Sequence, residues 1–226
     1  MRVVDLGVIG YPEAEALQLA RVAEVTDGAE ETLFLLEHTP VVTVGRNADL
    51  THLLVPPEAL ASRGALLARA ARGGDITCHF PGQLVAYPIF RLERRPGGLR
   101  SFFSDLEEAI IRTLARFEVS AGRVDGRPGV WLGTRKIASI GVAVRRWVSY
   151  HGLALNVGPD LRLFSQITLC GLADASPTSL ALELAAKGLP VPETATLISE
   201  VKDVLVQEFL RLYAPAELAA REAARG

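Results

Sequence analysis

The chain has 226 residues, 49% of them hydrophobic and 22% charged, with 24 Lys and Arg against 26 Asp and Glu for a formal net charge of −2. That length can bury a core without disulfide or metal support, and the composition excludes a disordered or collagen-like chain. The slight acidity argues against a general nucleic-acid binder, and two cysteines argue against a disulfide framework, so a reducing, cytoplasmic setting is expected.

The opening segment MRVVDLGVIGYPEAEAL meets Asp5 early and has no basic head before an apolar run, so no secretory signal is expected. No run approaches the length of a membrane span. Side-chain amides are scarce and lysine is confined to Lys136, Lys187 and Lys202. That pattern fits a thermophilic source and a GC-rich genome equally well.

Pro12, followed by Glu13 and Glu15, suits a helix start, and Ala16, Leu17, Ala20 and Ala23 recur at helical spacing, which predicts a helix over 12–25. Strands are expected at 33–36 and 41–44, and a helix at 56–63 ending before Gly64. Residues 65–71 suit a helix by propensity but are short and lead into Gly73-Gly74, so a strand is expected there. A strand pair follows at 75–79 and 84–90, then an exposed loop, FRLERRPGGLR. Ser101 is expected to cap an amphipathic helix at 102–117, with Phe102, Leu106, Ile110, Leu114 and Phe117 on one stripe. Strands at 119–124, 129–132, 136–145 and 147–157 follow, the last two as a hairpin around Arg145-Arg146. Helices are expected at 178–187 and 193–213, with 214–226 as a flexible tail. With no repeat and no dividing linker, the expected architecture is α+β: one domain over 1–213 with a mixed sheet packed with helices.

Three segments carry residues suited to chemistry. The first is RGGDITCHFPGQ, residues 72–83. Its paired glycines let backbone approach a ligand closely, and His79 and Gln83 add polar groups beside Pro81-Gly82. On this segment alone, a β-hairpin turn with a satisfied histidine is the simpler account. The spacing matches neither a P-loop nor a dinucleotide motif. In the second segment, GVWLGTRKIASIG, Lys136 heads an apolar strand whose alternation places Ala138, Ile140 and Val142 on its face. Burial of that face would make it a candidate base, and a strand-end lysine reaching water is the competing account. In the third, FSQITLCGL, Cys170 precedes Gly171 in a loop. It is a candidate nucleophile if a cation or base populates the thiolate, and otherwise a small buried residue. Cys78, His79, His151 and Cys170 fit no structural zinc spacing, so no metal is expected, nor a Cys78–Cys170 disulfide.

Taken in order, RGGDITCHFPGQLVAYPI, GRPGVWLGTRKIASIGVAVRRWVSYHGLALNV and LFSQITLCGLADASPTSL, with FLLEHTPVVTVGR upstream, resemble the lipoate-biosynthesis octanoyltransferases, also called lipoyl(octanoyl) transferases. The resemblance spans about residues 30–185 and continues to 213. It implies the fold of the biotin and lipoate protein ligase catalytic domains. It implies transfer of octanoyl from octanoyl-acyl carrier protein to a lysine of lipoyl domains, those of 2-oxoacid dehydrogenase complexes and of the glycine cleavage H protein. It further implies a thioester on Cys170, with Lys136 as its base or thiol activator. An acyl pocket is implied at Arg72, Gly73, Gly74, Asp75, Ile76, Thr77, Cys78 and His79, completed by Ser139-Ile140-Gly141 and Gly152-Leu153-Ala154. Ile76, Val130 and Ile140 are candidates to line the tail's path. No cofactor is required by that chemistry, no nucleic-acid or membrane partner is implied, and a monomer is expected because no segment reads as an assembly helix.

The chain departs from the family's pattern at Cys78 and Phe80, on either side of the histidine, at Leu169 before the cysteine, and in PTSL at a later helix start. Arg91, Arg94, Arg95 and Arg100 in one loop, or Arg145 and Arg146 at a turn, are candidates to dock an acidic carrier. An ATP-dependent lipoate or biotin protein ligase, an octanoyl amidotransferase, and a non-catalytic lipoyl-domain or carrier-protein binder are the alternatives. The Cys170-Gly171 pair and the lack of a nucleotide motif favour the transferase.

Overall fold

The computed structural model describes residues 1–93, 95, 97–169 and 174–223, the last ten of them by backbone alone. Two sheets organise the chain. The larger runs in the order β1-β2-β6-β10-β9-β8-β7, formed by Arg2–Ile9 (β1), Thr32–His38 (β2), Gln83–Ile89 (β6), Val148–Asn156 (β10), Arg135–Arg145 (β9), Arg127–Leu132 (β8) and Gly122–Val124 (β7). The short β11 (Ser176–Pro177) adds to β9 in parallel. β1 is parallel to β2 and the other neighbours are antiparallel, so the sheet is mixed as expected. The smaller sheet is β4-β3-β5, from Leu66–Arg69, Val41–Val44 and Ile76–His79.

Strand alternation divides the large sheet's side chains between two cores. Leu33, Leu35, Leu84, Ala86, Leu153 and Leu155 face α3 (Gly98–Ala115), α4 (Leu180–Ala186) and α5 (Thr194–Ala223). Phe34, Leu36, Val85, Tyr87 and Ala154 face α1 (Tyr11–Thr26), which buries Tyr11, Ala14, Gln18, Val22 and Val25 at helical spacing. A third core lies under the small sheet, where Val42, Val44, Ile76, Cys78 and Phe80 meet Leu60 of α2 (Pro57–Ala61) and Phe164, Ile167 and Leu169.

Several expectations are revised. β1 was not foreseen. β5 and β6 do not pair with each other: β5 closes the small sheet on β3 and β6 lies between β2 and β10. The Pro81-Gly82 turn therefore carries the chain between sheets. It is pinned by Val157 and Gly158 N–H groups donating to Gly82 O and by Gly82 N–H donating to Glu37 Oε2 at 2.7 Å. α3 starts at Gly98, with Gly97 in the left-handed region as its N-cap, so Ser101 lies inside the first turn rather than capping it. α5 continues as helical backbone to Ala223, beyond the expected end at 213. The β9–β10 hairpin is present, and Arg145 faces Val148 around Arg146-Trp147, both at positive φ as a two-residue primed turn demands. Among the described residues no helix is long and apolar enough to cross a membrane.

Candidate functional site

A cavity of about 220 Å³ opens between the β9–β10 ribbon and the segment leading into β5. Arg72, Gly74, Asp75, Ile76, Thr77 and His79 form one wall. Lys136, Ser139, Ile140 and Gly141 of β9 and Gly152, Leu153 and Ala154 of β10 form the other. The ribbon's register places Ser139 opposite Ala154, Ile140 opposite Leu153 and Gly141 opposite Gly152, so the segments singled out in the sequence are neighbours in space. Gly141 permits a close approach of the walls: a Cβ there would stand 2.9 Å from Arg72 Cδ and 3.2 Å from Gly73 O.

Two expected pocket residues do not line the cavity. Gly73 contributes backbone, its N–H donating to Val142 O at 3.0 Å. Cys78 points into the third core, fully buried, with Sγ–H directed at Leu163 O, and burial pushes its thiol well above the usual range. Val130 belongs to the first core. Cys170 lies outside the described residues.

Lys136 is 4% exposed, so it does not reach water as a strand-end lysine would. The alternation expected around it is broken by a register shift between β8 and β9. Val130 faces Ala138 while Trp131 faces Lys136, and Ile137 and Ala138 both pack into the first core. Nζ lies 5.1 Å from the centroid of the Trp131 ring. It also lies over Gly129, where a Cβ would stand 2.8 Å from Lys136 Cε.

His79 belongs to a directed chain of hydrogen bonds. Arg72 donates to Thr43 Oγ1 at 2.7 Å, and the Thr43 hydroxyl donates to His79 Nε2 at 3.4 Å. His79 Nδ1–H then donates to Gln83 Oε1 at 2.8 Å, Gln83 Nε2 to Asn156 Oδ1 at 2.9 Å, and Asn156 Nδ2 to Thr178 O at 2.9 Å. Thr178 N–H closes the path on Lys136 O at 2.9 Å. Every side chain from Arg72 to Asn156 is buried, and each fixes the donor sense of the next. Arg72 also donates to the carbonyls of Thr43, Gly73 and Asp75, which shapes the glycine-rich turn.

Sequence reasoning missed a second buried group. Tyr11, Tyr87 and His151 line the cavity and His38 stands behind them. His38 donates from Nδ1 to Ile9 O and accepts at Nε2 from the Tyr87 hydroxyl at 2.8 Å, which leaves it neutral. Burial lowers His38 to about 4 and His151 to about 3, and takes His79 well below its ordinary value. His151 has a left-handed φ of 55° in mid-strand, and its Nε2 is buried with no hydrogen-bond partner among the described residues. The signal available in sequence was a polar aromatic residue at the head of α1, at the end of β2 and inside the apolar strands β6 and β10.

The arrangement offers a largely apolar slot whose wall holds the buried Lys136 amine, the Arg72 guanidinium and the Asp75 carboxylate beside uncharged polar groups. Residues 10–210 match the family described as lipoyl protein ligase A/B catalytic domain. An octanoyltransferase of Nitratidesulfovibrio vulgaris is 58% identical over 99% of this chain and 100% of its own length. Among solved structures, lipoate-protein ligase A bound with ATP superposes with a TM-score of 0.75 at 20% identity, covering 98% of this chain and 92% of that one. A bipartite lipoate protein ligase of the Thermoplasma acidophilum lipoylation system superposes with a TM-score of 0.70 at 19% identity, covering 98% and 90%. The chain belongs to the lipoyl protein ligase A/B catalytic domain family and, within it, to the octanoyltransferases.

Proposed function

We propose that this acyltransferase moves octanoyl in two steps through a thioester on Cys170, from acyl carrier protein to a lysine of a lipoyl domain. In the first step the Cys170 thiolate attacks the carrier's thioester carbonyl. The bond to the carrier's sulfur breaks, and Lys136, having taken the cysteine proton, returns it to the leaving thiolate. In the second, the acceptor amine attacks the enzyme thioester, and its proton passes by Lys136 to Cys170 as the amide forms. Exchange of a thioester for an amide is downhill and needs no ATP.

The observation that carries this reading is the burial of Lys136 at the cavity wall together with the pairing of Ser176-Pro177 with Arg135-Lys136. Ser176 follows Cys170 by six positions, so the chain downstream of the cysteine is tied to the lysine's own strand. The catalytic unit is residues 1–213. Substrate-facing positions are Arg72, Gly74, Asp75, Ile76, Thr77, His79, Ser139, Ile140, Gly141, Gly152, Leu153 and Ala154, with Gly73 and Cys78 behind them.

The carrier docks on the exposed hairpin tip at Arg145 and Arg146 rather than on the loop after β6. In that loop Arg95 pairs with Glu31 at 2.7 Å and stacks on Phe90 and Tyr213, and Arg91 donates to Val25 O. Arg94 lies outside the described residues, and Arg100 is exposed. Acceptors are lipoyl domains of 2-oxoacid dehydrogenase complexes and the glycine cleavage H protein, and the enzyme acts in the cytoplasm as a monomer. A neighbour in fold, the Thermoplasma ligase, was solved as part of a system with an E2 lipoyl domain.

The test is transfer of octanoyl from carrier protein to a purified lipoyl domain without ATP. Transfer by the wild-type enzyme, abolished in Cys170→Ala and Lys136→Ala, is expected. Modification that requires free octanoate and ATP would replace this reading with a ligase.

A further inference from the structure

The chain on both sides of residues 170–173 is fastened by backbone and side-chain hydrogen bonds to the Arg72–Thr77 wall of the cavity. Downstream the fastening is the hydrogen-bond chain from Arg72 to Thr178. Upstream it is a strap, residues 46–54. One half of the strap lies on the wall: Arg46 N–H donates to Arg72 O at 3.0 Å, Asp49 N–H to Asp75 Oδ1 at 3.2 Å, and His52 Nδ1–H to Asp75 Oδ2 at 2.5 Å. The other half lies on the chain that leads to Cys170. Thr168 N–H donates to His52 O at 2.8 Å, Leu54 N–H donates to Gln166 O at 2.9 Å, and Leu53 forms an antiparallel bridge with Ile167. Asp75 lines the acyl cavity, so one carboxylate joins the cavity wall to the strap by both of its oxygens. The His52–Asp75 contact is partly shielded, with the side chains 27% and 19% exposed.

We infer that Asp75 and His52 are a positioning pair for acylation. They hold the acyl-cavity wall in register with the segment approaching Cys170, so that a chain seated in the cavity presents its carbonyl to the nucleophile. The inference rests on the thioester reading above, and it assigns a role to two residues that touch no reacting atom. The link needs a donor at the His52 Nδ1 position and a carboxylate at 75. Asparagine places an N–H near the Nδ1 position, whereas glutamine places it near Nε2, out of reach of Asp75.

The test is single-turnover acylation by octanoyl-carrier protein, followed by rapid quench. The variants are His52→Ala, Asp75→Ala, the double substitution, His52→Asn and His52→Gln. The rate at saturating donor is expected to fall about 10–100-fold in each alanine variant, the scale of a reacting group misplaced by about an ångström. Half-saturation by donor should move less than about threefold, because the misplacement acts on orientation rather than on binding. The double variant should be no slower than the slower single one, as expected for two residues acting through one contact. His52→Asn should recover most of the rate and His52→Gln should not. Alanine variants that acylate at the wild-type rate, additive losses, or equal losses for asparagine and glutamine would overturn the inference while leaving the thioester reading intact. A wild-type enzyme that forms no acyl-enzyme would overturn both.

Discussion

Gln83 and Asn156 are register partners on β6 and β10, and their side chains meet at 2.9 Å, Gln83 Nε2 donating to Asn156 Oδ1. Because the amide of Asn156 is thereby oriented, its own N–H groups are turned toward Thr178 O, immediately after β11. Asn156→Asp keeps the acceptor for Gln83 and places a carboxylate oxygen against a carbonyl. It is expected to cost about 1–3 kcal/mol of stability and to slow transfer more than stability alone explains. Denaturant unfolding and steady-state transfer, compared with Asn156→Ser, check this.

Gly129 leaves the space that Lys136 occupies. At Gly129 φ is 109° and a Cβ would stand 2.4 Å from Ala138 O and 2.8 Å from Lys136 Cε. Gly129→Ala is therefore expected to cost roughly 1–3 kcal/mol in backbone strain and contact, and to lower kcat about tenfold or more by moving the lysine. Gly126, with φ of 70° and open space around it, supplies the comparison. Gly126→Ala should share the strain and keep the activity.

The buried histidines set an acid limit to stability. Their protonation is depressed in the folded chain, to about 4 for His38 and about 3 for His151, against 6.5 in the unfolded chain. Above pH 6.5 neither state is protonated at these sites. As pH falls below 6.5 the unfolded state takes up protons that the folded state refuses, so folding free energy is lost progressively down to about pH 4. Each such histidine contributes a slope of at most about 1.4 kcal/mol per pH unit. Urea titrations at pH 7.5, 6 and 5 should show this decline, and His38→Gln should flatten it. An unchanged slope in that variant would remove His38 from the account.

Charge at the two basic clusters should separate by function. Arg95→Glu breaks a largely buried pair and places a carboxylate beside Glu31, with an expected loss of about 3–5 kcal/mol. Arg145→Glu and Arg146→Glu lie on an exposed turn and should change stability by no more than about 0.5 kcal/mol. They should raise KM for the carrier protein and weaken its dependence on salt.

Much of this was legible in sequence because it is local. Helical spacing placed α1, and the short runs Leu33–Leu36 and Val41–Val44 placed β2 and β3. Ser139–Gly141 and Gly152–Ala154, named by resemblance, are brought together by the hairpin register, and Arg72 meets them across the cavity. β1 was missed because its side chains are mostly exposed and Gly7, at φ of 62°, interrupts its pairing. The separation of β5 from β6 was hidden because a strand, a Pro-Gly turn and a strand read as a hairpin, while the choice of sheet is made by distant partners on β3 and β10. Tyr11, His38, Tyr87 and His151 come from four elements and converge only in the fold. The depth of Lys136 depends on a bulge against β8 that strand periodicity does not register.

The most direct measurement is the intact mass of the enzyme after incubation with octanoyl-carrier protein without ATP, alongside Cys170→Ala and Cys78→Ala. A hydroxylamine-labile octanoyl adduct on the wild type and on Cys78→Ala, absent from Cys170→Ala, is predicted, since Cys78 is sealed in the third core with its thiol held protonated. An adduct that survives in Cys170→Ala, or transfer that proceeds at the wild-type rate without any adduct, would contradict the thioester route.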